Sequence, residues 1–187
     1  TYQWHKGGVA LADVGNISGS ATATLTVSNI ATSDEGSYDV TVTGLCSNVT
    51  STAAVLSVDD NVVITVQPIN VTQCEGTTAM FSVTATGTGL TYQWRKDGVA
   101  LSNTPAISGV YTNTLTINNI QTANEGTYDV VVSGTCLPAT SNGVVLAVDD
   151  KPVITLQPAS VVQCEGTTAI YSVTATGTGL TYQWRKG

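Results

Sequence analysis

Positive charge is scarce in this sequence. Six Lys and Arg against 13 Asp and Glu give a net charge of −7 over 187 residues. That balance excludes a basic footprint for nucleic acid or for an anionic membrane surface. Histidine occurs once, as His5, and no Cys-x-x-Cys pair is present, so zinc ligands at their usual spacing are missing. No apolar run approaches the ~20 residues needed to span a bilayer. The helix-favouring runs of Glu, Lys, Arg and Leu are also absent, and charged residues of both signs make up only 10% of the chain. No nucleophile elbow, phosphate loop or metalloprotease motif occurs. No catalytic residue is assigned, and the chain reads as a structural or binding module, not an enzyme.

What is plentiful is Val, Ile, Leu and Ala interleaved with Thr and Ser, within a chain that is 42% hydrophobic. β-Branched side chains in alternation with hydroxyls suit half-buried strands. The sequence also repeats itself. Thr1-Tyr2-Gln3-Trp4 returns as Thr91-Tyr92-Gln93-Trp94 and as Thr181-Tyr182-Gln183-Trp184, while Cys46 returns as Cys136 and Cys74 as Cys164. Every offset is the same, with no insertion or deletion. Internal repetition of this kind decides the fold before any local reading does. The joints fall at Val58-Asp59-Asp60 and Val148-Asp149-Asp150. Residues 61–150 are then one complete repeat, 1–60 the C-terminal part of a preceding one and 151–187 the N-terminal part of a following one. The chain reads as a window cut from a longer array, in which neither end is a true terminus.

Within 61–150, short alternating runs between turn signals predict strands at 62–66, 70–74, 78–86, 90–96, 99–101, 113–119, 126–134 and 142–148. Pro68 belongs at an edge-strand break, and Asp97-Gly98 at a tight hairpin turn. Alternation points Phe81, Val83, Ala85, Tyr92, Trp94, Leu115, Ile117, Tyr128, Val130 and Val132 inward. Two apolar faces then close around Trp94 as an all-β, two-sheet sandwich.

The Tyr92-x-Trp94 stretch followed by Lys96-Asp97-Gly98 resembles one strand of an intermediate-type immunoglobulin domain. Leu115-Thr116-Ile117 with Asn124-Glu125-Gly126-Thr127-Tyr128 is similar to that family's tyrosine corner, and Asp34-Glu35-Gly36-Ser37-Tyr38 repeats it. The resemblance covers the whole chain and is closest to the tandem bacterial immunoglobulin-like repeats of large secreted surface proteins. It implies Greek-key sandwiches joined end to end, with strands C to G in 1–60 and A to C in 151–187. It also implies a core built on Trp4, Tyr38, Val83, Trp94, Tyr128, Val130 and Trp184. One departure stands out: where the family joins two facing strands by a disulfide, this chain has Val83 and Val130. Each such Val contributes roughly 1.5–3 kcal/mol when buried.

The cysteines lie elsewhere, at Cys46, Cys74, Cys136 and Cys164. Cys74 falls in the turn before the 78–86 strand and Cys136 in the hairpin after 126–134, at opposite ends of the sandwich by the predicted register. Three readings stand: a bond between neighbouring repeats, which the end-to-end order favours, a bond within one repeat, and free thiols. A repeated pair in a Thr-rich β-protein fits an oxidising, extracellular or cell-surface compartment. Glu75, Asp149 and Asp150 are candidate calcium ligands, against the plainer reading of a solvated linker, and no other cofactor is expected. Asp39 and Asp129 alternate outward beside no cleft. Asn16-Ile17-Ser18, Asn48-Val49-Thr50 and Asn70-Val71-Thr72 are glycosylation triplets that do not repeat. Tyr111 is a candidate exposed aromatic contact.

The leading expectation is a structural repeat of an extracellular stalk, adhesin shaft or filament, whose partners are neighbouring copies or repeats of the same protein. The alternatives are an adhesive or carbohydrate-binding module for host or environmental glycans or proteins, and an accessory domain of a larger secreted enzyme.

Overall fold

In the computed structural model, which describes residues 1–187, the first Tyr-Gln-Trp stretch forms strand β1 (Tyr2–Lys6). Gly7 and Gly8, both at positive φ, turn the chain back into β2 (Val9–Ala10). β3 (Ile17–Ser18) and β4 (Thr26–Val27) make a separate antiparallel pair. β5 (Gly36–Thr43) pairs with β1 and sets Trp4 opposite Val40; β6 (Asn48–Thr50) and β7 (Ala54–Leu56) extend the sheet beyond β5. These elements lie in a first unit, Thr1–Asn61; the second unit runs Val62–Gly187.

The second unit holds the whole sandwich. One layer is made of β8 (Val63–Val66) on β11 (Thr84–Thr86), and of β10 (Ala79–Ser82), β15 (Thr114–Ile117) and β14 (Ile107–Ser108) in the order β10-β15-β14. The other runs β13-β12-β16-β18-β9, from β13 (Val99–Ala100) through β12 (Thr91–Lys96), β16 (Gly126–Ser133) and β18 (Val144–Asp149) to β9 (Val71–Cys74). A short β17 (Ala139–Thr140) pairs with β16 inside the hairpin. The β9–β18 ladder is parallel, which marks where the chain has changed layers after β8. Pro68, with no N–H to donate, sits at that break. Two side chains bond the strand edge across it: Gln67 accepts from the Asn142 N–H and Asn70 from the Val145 N–H, at 2.9 and 2.8 Å.

The core follows from the alternation. Phe81, Val83, Trp94, Leu115, Ile117, Tyr128, Val130 and Val132 are buried, with Ala85 and Tyr92 partly so. Phe81 stacks on Tyr128 at 5.0 Å between ring centroids and leans on Trp94 at 6.2 Å. Asp97 and Gly98, at φ 50° and 79°, form the mirror-image turn that a two-residue hairpin requires. Gly109 has φ 75°, and a Cβ there would collide with the Thr114 carbonyl oxygen, so only glycine fits.

Several details differ from the sequence expectation. The predicted strand 78–86 is broken at Val83, with a register shift between Thr84 and Ala85, so its two halves pair with different neighbours. A strand at Ile107–Ser108 fills what reads as an open connection; two residues are too few to show alternation. The 142–148 strand begins at Val144, because Ser141 turns inward and its Oγ accepts from the Val130 N–H at 3.0 Å.

The larger corrections lie in 151–187. β19 (Val153–Leu156) and β20 (Thr174–Thr176) pair in the register of β8 and β11, but the Thr-Tyr-Gln-Trp segment at 181–184 is not a strand. Trp184, expected in a core, is 52% exposed. In the complete sandwich, β12 is held by β13 and β16 and covered by the facing layer; no counterpart of those elements follows Trp184 among the 187 residues. Trp4 is likewise only half-buried, since 1–61 holds no counterpart of β8 to β11.

Candidate functional site: the two ends of the complete sandwich

The outward face of β12 and β16 carries its charges in pairs. Asp129 stands opposite Arg95 in the ladder and accepts two hydrogen bonds from its guanidinium, at 2.7 and 2.8 Å. Those bonds hold Arg95 above its ordinary pKa. Asp39 occupies the same place opposite His5, with a single 3.1 Å contact. Both carboxylates therefore point outward as their alternation predicts, each engaged by a cross-strand base. Lys96 reaches over the hairpin to donate to the Ala123 carbonyl at 2.7 Å.

The tyrosine corner closes the base of β16. The Tyr128 hydroxyl donates to the Asn124 carbonyl at 2.7 Å, and Glu125 accepts from the Val148 N–H at 2.9 Å, tying the corner to β18. Burial, with a smaller push from the Asp97 charge, raises the Tyr128 hydroxyl to about 12. Tyr38 repeats the corner by donating to the Asp34 carbonyl at 2.6 Å. Hydrogen bonds from the Ala31 N–H and the Asn16 amide lower the pKa of Asp34.

Two of the glycosylation triplets have their Asn side chains in use. Asn16 donates to Asp34 at 2.9 Å, and Asn70 caps the β18 edge. Asn48 is exposed, as are Tyr111 (56%) and Leu137, which stand on separate loops.

The cysteines mark the two ends. Cys74 closes β9 directly opposite Asp149, and the next amide, that of Glu75, donates to the Asp149 carbonyl at 2.9 Å. Cys136 lies beyond the far end of β16, in the hairpin to β17. No disulfide bond is formed in this structure: Cys46, Cys74 and Cys164 are exposed and Cys136 is half-buried. Eight residues of β16, at ~3.3 Å each, separate the end that carries Cys74 from the end that carries Cys136. A disulfide needs Cα atoms within ~7 Å, so the two cannot join inside one sandwich.

At the Cys74 end no group of three or more His, Cys, Asp or Glu side chains assembles, so Glu75, Asp149 and Asp150 are not drawn into a ligand cluster. The charge there is mixed instead. The Lys151 ammonium lies over Gly76, close enough that a Cβ on that glycine would meet it at 2.7 Å. Asp150 donates its N–H to Thr178 Oγ1 at 3.0 Å and accepts the Thr178 N–H at 3.1 Å. Thr178 is the counterpart, one repeat on, of Thr88, whose carbonyl accepts from the Thr135 N–H at 2.9 Å. Sequence reasoning did not single out Thr88, Thr178 or Lys151; the only available signal was the unbroken Gly-Thr-Gly repetition at 87–89 and 177–179.

Residues 63–133 match the family described as immunoglobulin domain. No curated protein matches the chain. Among solved structures it is similar to an I-band fragment of titin, I67-I69, with 19% identity, a TM-score of 0.75, and coverage of 95% of this chain and 65% of that one. It is also similar to Sidekick-1 immunoglobulin domains 1-5, with 24% identity, a TM-score of 0.48, and coverage of 96% and 41%. The chain thus spans less than two thirds of either. The fold is that of immunoglobulin domains in tandem, and no helix is long and apolar enough to cross a membrane.

Proposed function

We propose that this chain is a structural segment of an extracellular or cell-surface array, in which near-identical immunoglobulin-like units strung end to end form a stalk, shaft or filament. One observation carries the reading: the repeat is kept at the level of strand register. Trp4 faces Val40 and Trp94 faces Val130; His5 faces Asp39 and Arg95 faces Asp129; Val63 faces Thr86 and Val153 faces Thr176. A shaft needs uniform units, and an unvarying ladder supplies them. The outward carboxylates repeat as well, Asp39 tied to His5 and Asp129 to Arg95. Two cysteines per unit support an oxidising compartment.

A second reading, an adhesive or carbohydrate-binding module, is favoured by one feature. The loops 103–113 and 137–143 diverge from 13–23 and 47–53 more than the strands between them, and they expose Tyr111 and Leu137.

Stretching single molecules of the native protein under reducing conditions separates the two. An array gives a ladder of equal unfolding steps, each of roughly 300 Å for a unit of this length. A protein without that ladder is not a shaft, and glycan-array binding that is lost on Tyr111→Ala would favour the second reading instead.

A further inference from the structure

The two cysteine positions of the complete sandwich stand at its opposite ends. β16 holds Cys74 and Cys136 apart within a unit. Across the joint the spacing is different. Cys74 lies beside Asp149, and the next residue, Asp150, is bonded twice to Thr178 in the Gly-Thr-Gly turn of the following unit. In the complete unit the corresponding turn residue, Thr88, is bonded to Thr135, the residue before Cys136. Carried over to the following unit, the Thr88–Thr135 bond would set turn cysteine, linker, the Thr178 turn and hairpin cysteine in one series through the joint. Gly134, beside that hairpin, is pressed against Val62 and Thr88, so the hairpin is fixed to the end at which its unit begins.

We propose that Cys74 forms a disulfide with the hairpin cysteine of the unit that follows, the counterpart there of Cys136, and that Cys164 does the same one unit on. This rests on the array reading above. Each bond forms by loss of two thiol hydrogens. A disulfide oxidant accepts the two electrons and two protons and leaves as a dithiol, by way of a mixed disulfide on one of the sulfurs.

The consequence is mechanical and follows from the order of the cysteines along the chain. Each bond leaps from the turn of one unit to the hairpin of the next, and successive bonds overlap, because Cys164 falls before the hairpin that Cys74 reaches. Tension entering at a turn cysteine crosses to the next unit's hairpin. It then runs along only the stretch that leads to the following turn, equivalent to the 28 residues from Cys136 to Cys164, before it leaps again. Two units of unfolded chain would extend by roughly 600 Å, whereas the bonded pair of units is limited to roughly 100 Å. The array becomes two interleaved covalent lines in which unfolding yields almost no length.

The test uses the native protein, harvested with free thiols alkylated. Peptide mapping without reduction should recover Cys74 joined to the hairpin cysteine of the following unit. Recovery of Cys74 joined to Cys136, or of all cysteines alkylated, overturns the proposal. Single-molecule stretching before and after dithiol reduction gives an independent reading: extensible length per unit should rise about six-fold on reduction. A bond within each unit would leave that 28-residue stretch free in every unit, so the rise would be only about three-fold, and no bond gives no change. Cys74→Ser should release one hairpin thiol to alkylation while the second covalent line still limits extension, and Cys74→Ser together with Cys164→Ser should restore length locally. A full-length step ladder that reduction does not alter sinks the disulfide and leaves the array standing. Absence of a ladder in the reduced protein sinks the array itself.

Discussion

Trp94 and Trp184 sit in the same Thr-Tyr-Gln-Trp-Arg-Lys sequence, yet one is wholly buried and the other is 52% exposed. Trp4, in the first copy of the tetrapeptide, lies between them in exposure. The indole hydrogen bond divides the three differently. Trp94 donates its indole N–H to the Thr112 carbonyl at 2.9 Å, and Trp4 makes the equivalent bond to Thr22 at 2.9 Å, because both are followed by the loop that supplies the acceptor. What Trp4 lacks is the β8 to β11 part of the facing layer; what Trp184 lacks is the acceptor loop, the flanking strands and the β14–β15 part of that layer. Burial is therefore a property of the closed sandwich, assembled from strands far apart in sequence, and the tetrapeptide only nominates the residue to be buried.

The most severe way to break this comparison is to remove the rings. Trp94→Ala should cost roughly 3–5 kcal/mol, a large part of the stability of a domain this size. Trp184→Ala in the same 187-residue chain should cost less than about 1 kcal/mol, because an exposed ring loses little on truncation. Urea titrations followed by far-ultraviolet circular dichroism measure both. Equal losses would mean that the 181–184 segment finds a facing layer in solution.

A smaller effect separates the buried corner tyrosine from an ordinary phenol. Folding raises the Tyr128 hydroxyl from 10.0 to about 12, since burial penalises the phenolate. The folded state thus keeps its proton where the unfolded state loses it. The corner contributes its full stability below pH 10 and loses it as pH rises from 10 towards 12, by roughly 2–3 kcal/mol in all. Tyr128→Phe removes the bond to the Asn124 carbonyl, costs about 1–2 kcal/mol at neutral pH, and should flatten that alkaline decline. A decline of unchanged size in the Phe variant would assign it to another group.

How much of this was legible in the sequence depends on the range of the signal. The period-two alternation of β12 and β16 placed Trp94, Tyr128, Val130 and Val132 in the core, because each of those strands is long enough to show it. β14, with two residues, carries no period to read. The break at Val83 arises from pairing with two different partners, which no local pattern encodes. Among site residues, the opposite placement of Cys74 and Cys136 followed from strand order alone. The bonds through Asp150 and Thr178 did not, since a linker's contacts depend on a turn nearly thirty positions away. Calcium was suggested by adjacent acids in the chain. In the fold, the Glu75 N–H bonds the Asp149 carbonyl, Asp150 bonds Thr178 through its main chain, and Lys151 lies nearby.

The mildest contrast is between the two outward-facing ion pairs, which occupy the same ladder position one repeat apart. Arg95 grips Asp129 through two parallel hydrogen bonds at 2.7 and 2.8 Å, with the two side chains 28% and 20% exposed. His5 touches Asp39 through one nitrogen at 3.1 Å, with similar exposure. A planar guanidinium fits a carboxylate in two-pronged fashion, whereas an imidazole offers a single donor, and that donor carries charge only when protonated. Exposed pairs contribute little after solvent screening and side-chain ordering. A double-mutant cycle on Arg95 and Asp129 should therefore return a coupling of about 0.5–1 kcal/mol at low salt, falling as ionic strength rises. The cycle on His5 and Asp39 should return less than half of that at pH 8. Replacing His5 by Arg should raise it towards the Arg95 value, because the backbone register already places the carboxylate opposite. If His5→Arg gains no coupling, the two ladders are not equivalent at this position, and the uniformity of the units on which the shaft reading depends stops short of their surfaces.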